Sequence, residues 1–151
     1  MSRENAALRN GRTGLILAIS LLIAACAHTT SQPTPTGNGP TMAANELAAI
    51  SQLRAIASAE TNYQATTGEG SYGTLKQLID SQAINSNISS GENRGYRFEV
   101  KVTSGSSFEA TATPKEYGFT GLKSFYMNST DSRVYAADKK GAEAAASDPA
   151  L

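Results

Sequence analysis

One cysteine, one histidine and no tryptophan occur among the 151 residues, and each shortage removes a class of function. A single thiol cannot build an internal disulfide framework. His28 lies in a polar stretch outside every periodic segment, so it cannot complete a Ser/His/Asp arrangement, and with Cys26 it is too little for a zinc site of the usual ligands. Charge is sparse as well, with 13 basic groups balancing 13 acidic ones. The balance hides an asymmetry, because Arg3, Arg9 and Arg12 all precede Thr13 and only Glu4 opposes them. A chain that loses this leader keeps ten basic groups against twelve acidic ones. No basic stripe then remains to neutralise phosphates, and no nucleic-acid partner is expected.

Long apolar runs are also missing. The longest, Gly14 to Ala25, covers about a dozen residues, short of the roughly 20 that cross a bilayer as a helix. A basic leader, a short apolar core and small residues at its end describe a signal peptide over residues 1–25. The run stops at the single cysteine.

The residues Ile23-Ala24-Ala25-Cys26 resemble the lipobox of bacterial lipoproteins. The resemblance implies a diacylglyceryl group on the Cys26 thiol, removal of everything before it, and often acylation (palmitate or similar) of the new amino terminus. Small side chains at Ala24 and Ala25 let a peptidase reach the backbone, and the thiol is the nucleophile for thioether formation. Two or three acyl chains make a long-lived anchor where one, at about 0.8 kcal/mol per buried methylene, does not. Lipoproteins with an aspartate after the cysteine tend to stay at the inner membrane, so Ala27 implies the outer one. The chain is expected in a bacterial cell envelope, tethered through Cys26 to membrane lipid, with its folded part in the periplasm or at the cell surface. An ordinary secretory signal cut near Ala25, with an incidental free thiol, is the alternative.

From His28 to Thr41 the chain reads HTTSQPTPTGNGPT, with no aliphatic side chain to offset the cost of ordering it. Residues 26–41 are therefore expected to be the lipidated cysteine and a flexible linker, reaching roughly 40 Å when extended and about half that as a coil. At Met42 the texture changes. Leu47, Ile50, Leu53, Ile56 or Ala57, and Glu60 to Tyr63 recur at spacings of three and four in an alanine-rich stretch without Gly or Pro. This predicts an amphipathic helix, capped by Thr41 or Asn45 and ended before Gly68. A second, shorter helix is predicted at TLKQLIDSQAI, with Thr74 as cap and Leu75, Leu78, Ile79 and Ile84 on one face. The loop NSNISSGENRG has no period and is expected to be exposed.

From Gly95 the period becomes two. Tyr96, Phe98, Val100 and Val102 alternate with Arg97, Glu99, Lys101 and Thr103, and Phe108, Ala110 and Ala112 alternate after the turn SGSS. These runs predict an antiparallel hairpin ended by Pro114. Further strands are predicted at KSFYMN and RVYA around the turn STDS, and the tail from about residue 138 is expected to be loosely docked. Residues 42–151 thus read as one α+β domain, a long N-terminal helix covering the apolar face of a small antiparallel sheet.

That order of elements, with NELAAISQLRAIASAETNYQATTGEGSYGTLKQL and GLKSFYMNSTDSRVY, resembles the soluble head of type IV pilins and type II secretion pseudopilins from Ala43 to about Ala137. The resemblance implies a pilin-like head and a structural or protein-interaction role near a pilus or secretion system. The stem departs from it. The processing glycine would be Gly14, followed by Leu15, and the fifth position of the stem would be Ile19 where filament-forming pilins carry a glutamate. The head is expected to sit on a lipid anchor in place of a polymerising stem.

Catalytic chemistry is not expected. Glu46, Glu60, Glu69, Asp80, Glu92, Glu99, Glu109 and Glu116 are scattered and read as mostly solvated. TGEGSYG follows a helix, where a phosphate loop follows a strand, and so reads as a helix-ending turn. Some pseudopilins hold calcium in C-terminal loops, for which Asp131, Asp138 and Asp148 would be the oxygen donors; their spacing fits no calcium-loop motif, and neither metal nor cofactor is expected. Tyr63, Tyr72, Tyr96, Tyr117, Tyr126 and Tyr135 read as core and rim of the sheet. A small ligand- or polymer-binding lipoprotein is the alternative and requires a concave, tyrosine-lined pocket, and a hydrolase would require two carboxylates converging in a cleft. Other envelope proteins are the expected partners.

Overall fold

The computed structural model describes residues 39–88, 90–104 and 106–151. Residues 1–25 (the expected signal peptide), Cys26, His28 and most of the expected linker lie outside the described residues. Among those described, no helix is long and apolar enough to cross a membrane.

Helix α1 spans Gly39–Ala65 and begins about one turn earlier than the texture predicts. Pro40 falls in the first turn, where the backbone N–H it lacks has no intrahelical partner to meet. Residues 39–41, expected to be linker, belong to the helix. Thr41 and Asn45 lie inside the helix and do not cap it; the Asn45 Nδ2 instead donates to the Thr120 carbonyl at 3.0 Å. The buried stripe runs Ala49, Leu53, Ile56, Glu60, Tyr63, so Ala49 takes the place expected of Leu47, which is 66 % exposed.

Helix α2 spans Leu75–Asp80, with Thr74 capping it in a capping box closed by Gln77. The segment expected to be an exposed loop folds into a 3-10 turn at Ser86–Ile88 and a short strand β1 at Glu92–Asn93. Ile88 is fully buried there, an isolated apolar side chain that no periodicity announces.

Strands β2 Tyr96–Ser104, β3 Ser107–Pro114, β4 Ser124–Asn128 and β5 Val134–Ala137 follow. They form a five-stranded antiparallel meander in sequence order. Phe98 pairs with Ala112 and Val100 with Ala110 across β2 and β3, and Ala110 and Ala112 stand opposite Met127 and Phe125 across β3 and β4. α1 crosses β3 and β4, not β2 as the alternation of Tyr96 to Val102 suggests. Ala110 and Ala112 have no accessible surface, and their small side chains leave room for the helix to approach at interior packing density. Leu53, Ile56, Leu78, Ile88, Tyr96, Phe98, Phe108, Phe125, Met127 and Val134 complete one core.

The C-terminal tail is held firmly, contrary to its composition. Ala136 N–H donates to the Pro149 carbonyl and Leu151 N–H to the Val134 carbonyl, each at 2.9 Å, so the tail covers the edge of β5. The Ser124 hydroxyl donates to the Ala142 carbonyl at 2.6 Å. Ser124, Thr111, Tyr126 and Ala144 are consequently buried on the sheet face away from α1. Lys139 bonds Asp148 at 2.9 Å, and the Ala145 N–H adds a second bond to the same carboxylate at 2.8 Å; the lysine first and the amide second hold that carboxyl below its ordinary pKa.

Between β3 and β4 the chain passes close under a tyrosine. The Tyr96 hydroxyl donates to the Lys123 carbonyl at 2.8 Å, and a Cβ on Gly121 would lie 1.9 Å from that hydroxyl oxygen. Gly121→Ala is therefore expected to destabilise the domain by about 1–3 kcal/mol through overpacking, and adding Tyr96→Phe to restore only part, since the ring edge also crowds the site. Urea denaturation checks both; an alanine variant as stable as the parent would contradict the packing.

Candidate functional site

An antiparallel meander puts successive connections at alternate ends. The β3–β4 connection lies at the end where α1 begins, against Asn45 and Glu46. The β2–β3 and β4–β5 turns lie at the opposite end, beside the second half of α1. A groove of about 320 Å³ opens at that opposite end, lined by Arg54, Ala57, Ser58, Thr61, Tyr72, Phe108, Met127, Ser129 and Ser132. Phe108 and Met127 are buried and make its floor, and the Tyr72 ring meets Phe108 edge-on at 4.9 Å. The rim is polar and locally fixed. Ser58 and Thr61 hydroxyls donate to the carbonyls four residues back, at 3.1 and 3.0 Å, and Ser129 Oγ accepts from the Phe108 N–H at 3.2 Å. An aromatic and thioether floor beneath hydroxyls and one guanidinium suits an apolar side chain flanked by hydrogen-bond acceptors. No nucleophile and base stand together in this lining.

The connection leading to Tyr72 is anchored by a buried carboxylate. Glu60 is expected to be solvated but has no accessible surface, because it occupies the stripe position between Ile56 and Tyr63. One oxygen accepts the Gly73 N–H at 2.9 Å, and the other has no partner among the described residues. Burial pushes its pKa from the ordinary 4.5 up to about 7, and the Gly73 hydrogen bond opposes the shift. The Tyr63 ring packs where a Cβ on Gly73 would come within 2.9 Å, so glycine is required for the loop to reach Glu60. The stripe position of Glu60 was the available signal for its burial.

The remaining candidate carboxylates are dispersed among the described residues except at one place. Glu99, Glu109 and Glu143 line a second groove of about 390 Å³ between the sheet and residues 143–147, with Lys101, Thr111 and Tyr126. Lys101 lies 3.0 Å from Glu143 and 3.9 Å from Glu99, and the hydrogen bond to Glu143 is the main cause of its raised pKa. These are exposed ion pairs, of small value individually. Asp131 accepts from the Tyr135 hydroxyl, Asp138 from the Tyr117 hydroxyl, and Asp148 from Lys139. Among the described residues no three His, Cys, Asp or Glu side chains gather as a metal-binding group. Of the tyrosines, Tyr63, Tyr96 and Tyr126 are buried, Tyr72 lines the first groove and Tyr126 the second; neither groove gathers several.

No protein-family model matches the chain, and no curated protein or solved structure does so either.

Glu60 gives the domain a pH dependence whose sign follows from its shift. Between about pH 4.5 and 7 the folded chain holds a proton that the unfolded chain has released, so stability falls as pH rises through this window. Glu60→Gln is expected to lose this dependence. Its stability relative to the parent should improve by about 3 kcal/mol between pH 4.5 and pH 8, read from denaturant midpoints across that range. A parent and variant that change in parallel would show that Glu60 is hydrated.

Proposed function

We propose that the chain is a lipid-anchored, non-enzymatic protein of a bacterial cell envelope, whose pilin-like α+β head is a structural or protein-interaction module. The observation that carries this reading is Ile23-Ala24-Ala25-Cys26, behind a basic leader and a short apolar core, with a folded helix beginning soon afterwards at Gly39. Acyl chains on Cys26 would hold the head near a membrane surface. Residues 39–151 contain no histidine or cysteine, which leaves the head without imidazole or thiol chemistry. A long helix lying across an antiparallel meander is the arrangement a pilin-like head would have. Ile19, where a filament subunit carries glutamate, favours a head that is anchored over one that polymerises.

Within this reading the Tyr72–Phe108–Met127 groove is the partner-facing site. It lies at the end of the head opposite the start of α1, and so away from the anchor's point of attachment. An envelope protein offering an apolar side chain beside a carboxylate or carbonyl groups would fit its floor and the Arg54 rim.

Mass spectrometry of the mature protein tests the anchor. The expected first residue is Cys26 carrying acyl mass, and Cys26→Ser is expected to accumulate as an unprocessed, unacylated precursor. An intact leader or a free Cys26 thiol would refute the reading. For the groove, Ser58→Arg is expected to reduce at least several-fold the envelope proteins that co-purify with the parent, at unchanged thermal stability; equal recovery would remove the groove from the site.

A further inference from the structure

Large exposed hydrophobic side chains are not spread over this head. Leu47, Tyr117, Phe119, Leu122 and Leu151 are 66, 38, 63, 41 and 63 % exposed. Leu47 stands in the first turns of α1, and Tyr117, Phe119 and Leu122 stand on the β3–β4 connection at the same end. Leu151, whose backbone lies beside Val134, reaches toward this end by lining, with Ala43, Glu46, Leu47, Ile50, Lys123 and Phe125, a shallow groove of about 320 Å³. Scattered apolar side chains on a surface need no explanation, whereas a set gathered at one end does.

The connection that carries them is rigidly built. Glu46 Oε1 accepts both the Leu122 N–H at 2.9 Å and the Lys123 N–H at 3.1 Å. Asn45 bonds the Thr120 carbonyl at 3.0 Å. The Thr120 N–H donates to the Glu116 carbonyl at 2.9 Å, and the Gly118 N–H to the Gly121 carbonyl at 3.0 Å. Phe119 and Leu122 are thus held outward by a loop braced through these hydrogen bonds, and α1 itself fixes the loop. Lys123, beside them, forms no ion pair among the described residues, while Glu46 is engaged with the two amides.

We propose that this end of the head is a membrane-contact surface, with Leu47, Phe119 and Leu122 entering the boundary between headgroups and acyl chains and Lys123 meeting anionic headgroups. The proposal rests on the anchoring read from Cys26. About a dozen residues separate Cys26 from Gly39, and a flexible linker of that length would span about 20 Å. They join the head at the end that carries the apolar side chains. A tether this short gives that surface a millimolar-range effective concentration of bilayer, enough to make a patch of three or four side chains useful although it is too small for a stable dimer. With this end on the lipid, the Tyr72–Phe108–Met127 groove faces away from it.

The test uses the full, acylated chain in vesicles of phosphatidylethanolamine and phosphatidylglycerol. Acylation blocks Cys26, so Glu116→Cys at the rim of the patch or Thr130→Cys at the opposite end supplies the sole thiol for a fluorophore. Lipids carrying a nitroxide near the top of the acyl chain are expected to quench the position-116 probe at least threefold more than the position-130 probe. Phe119→Ser with Leu122→Ser, both exposed, is expected to abolish the difference without lowering the thermal midpoint. Equal quenching at the two positions on vesicle-bound protein would overturn the contact surface and leave the anchor standing. Protection of position 116 that grows with protein density and not with lipid would overturn it in favour of a second copy. Failure of the chain to bind vesicles would overturn the anchoring reading, and the contact surface with it.

Discussion

Everything in this head depends on the burial of one stripe of α1 across the middle of the sheet. Leu53 and Ile56 have no accessible surface, and neither do Ala110 and Ala112 on β3, over which the helix crosses. The small strand residues and the alanine-rich helix are one solution seen from two sides. A bulkier residue on β3 would lift the helix and open the core at Phe125 and Met127. Because the helix is seated by its centre, both of its ends become fixed points. Each end then uses a single carboxylate to hold a loop: Glu46 takes two amides of the β3–β4 connection, and Glu60 takes one amide of the loop before α2.

The two carboxylates act in different environments, and the difference explains their chemistry. Glu46 holds its amides at the surface. Glu60 is sealed in the core with half of its hydrogen-bonding capacity unused, and burial outweighs the one bond it accepts. The head consequently has two unlike ends. One displays Phe119, Leu122 and Leu47 on a fixed loop next to the start of α1; the other carries an aromatic floor within a polar rim. In the proposed arrangement a lipid anchor makes this polarity functional, with one end directed at the bilayer and the other at a partner.

Regular elements were legible in the sequence wherever one period dominated. The change from three-and-four spacing to strict alternation at Gly95 located α1 and β2, and Thr74 and Pro114 marked the start of α2 and the end of β3. Legibility failed where long-range partners decide. Ile88 is buried by contacts that its neighbours in sequence do not foreshadow. The tail reads as loosely docked because its fastening is mostly backbone hydrogen bonding to β5 and the Ser124 hydroxyl, neither of which composition records. Leucine outranks alanine in hydrophobicity, which points Leu47 inward, yet the close approach over β3 selects Ala49. Glu60 falls on the stripe, but its charge is ordinarily a surface signal and masks its burial. Of the two loop-holding carboxylates and the distal groove, the sequence marked the residues but not their convergence.

Amide hydrogen exchange on the folded protein tests most directly whether α1 fixes both loops. If it does, the amides of Leu122 and Lys123 at one end and of Gly73 at the other will exchange with protection close to that of the helix around Leu53 and Ile56, and Leu53→Ala will lower all of them together. Loop amides that exchange orders of magnitude faster than the helix, and do not respond to Leu53→Ala, would contradict a head organised around that one buried stripe.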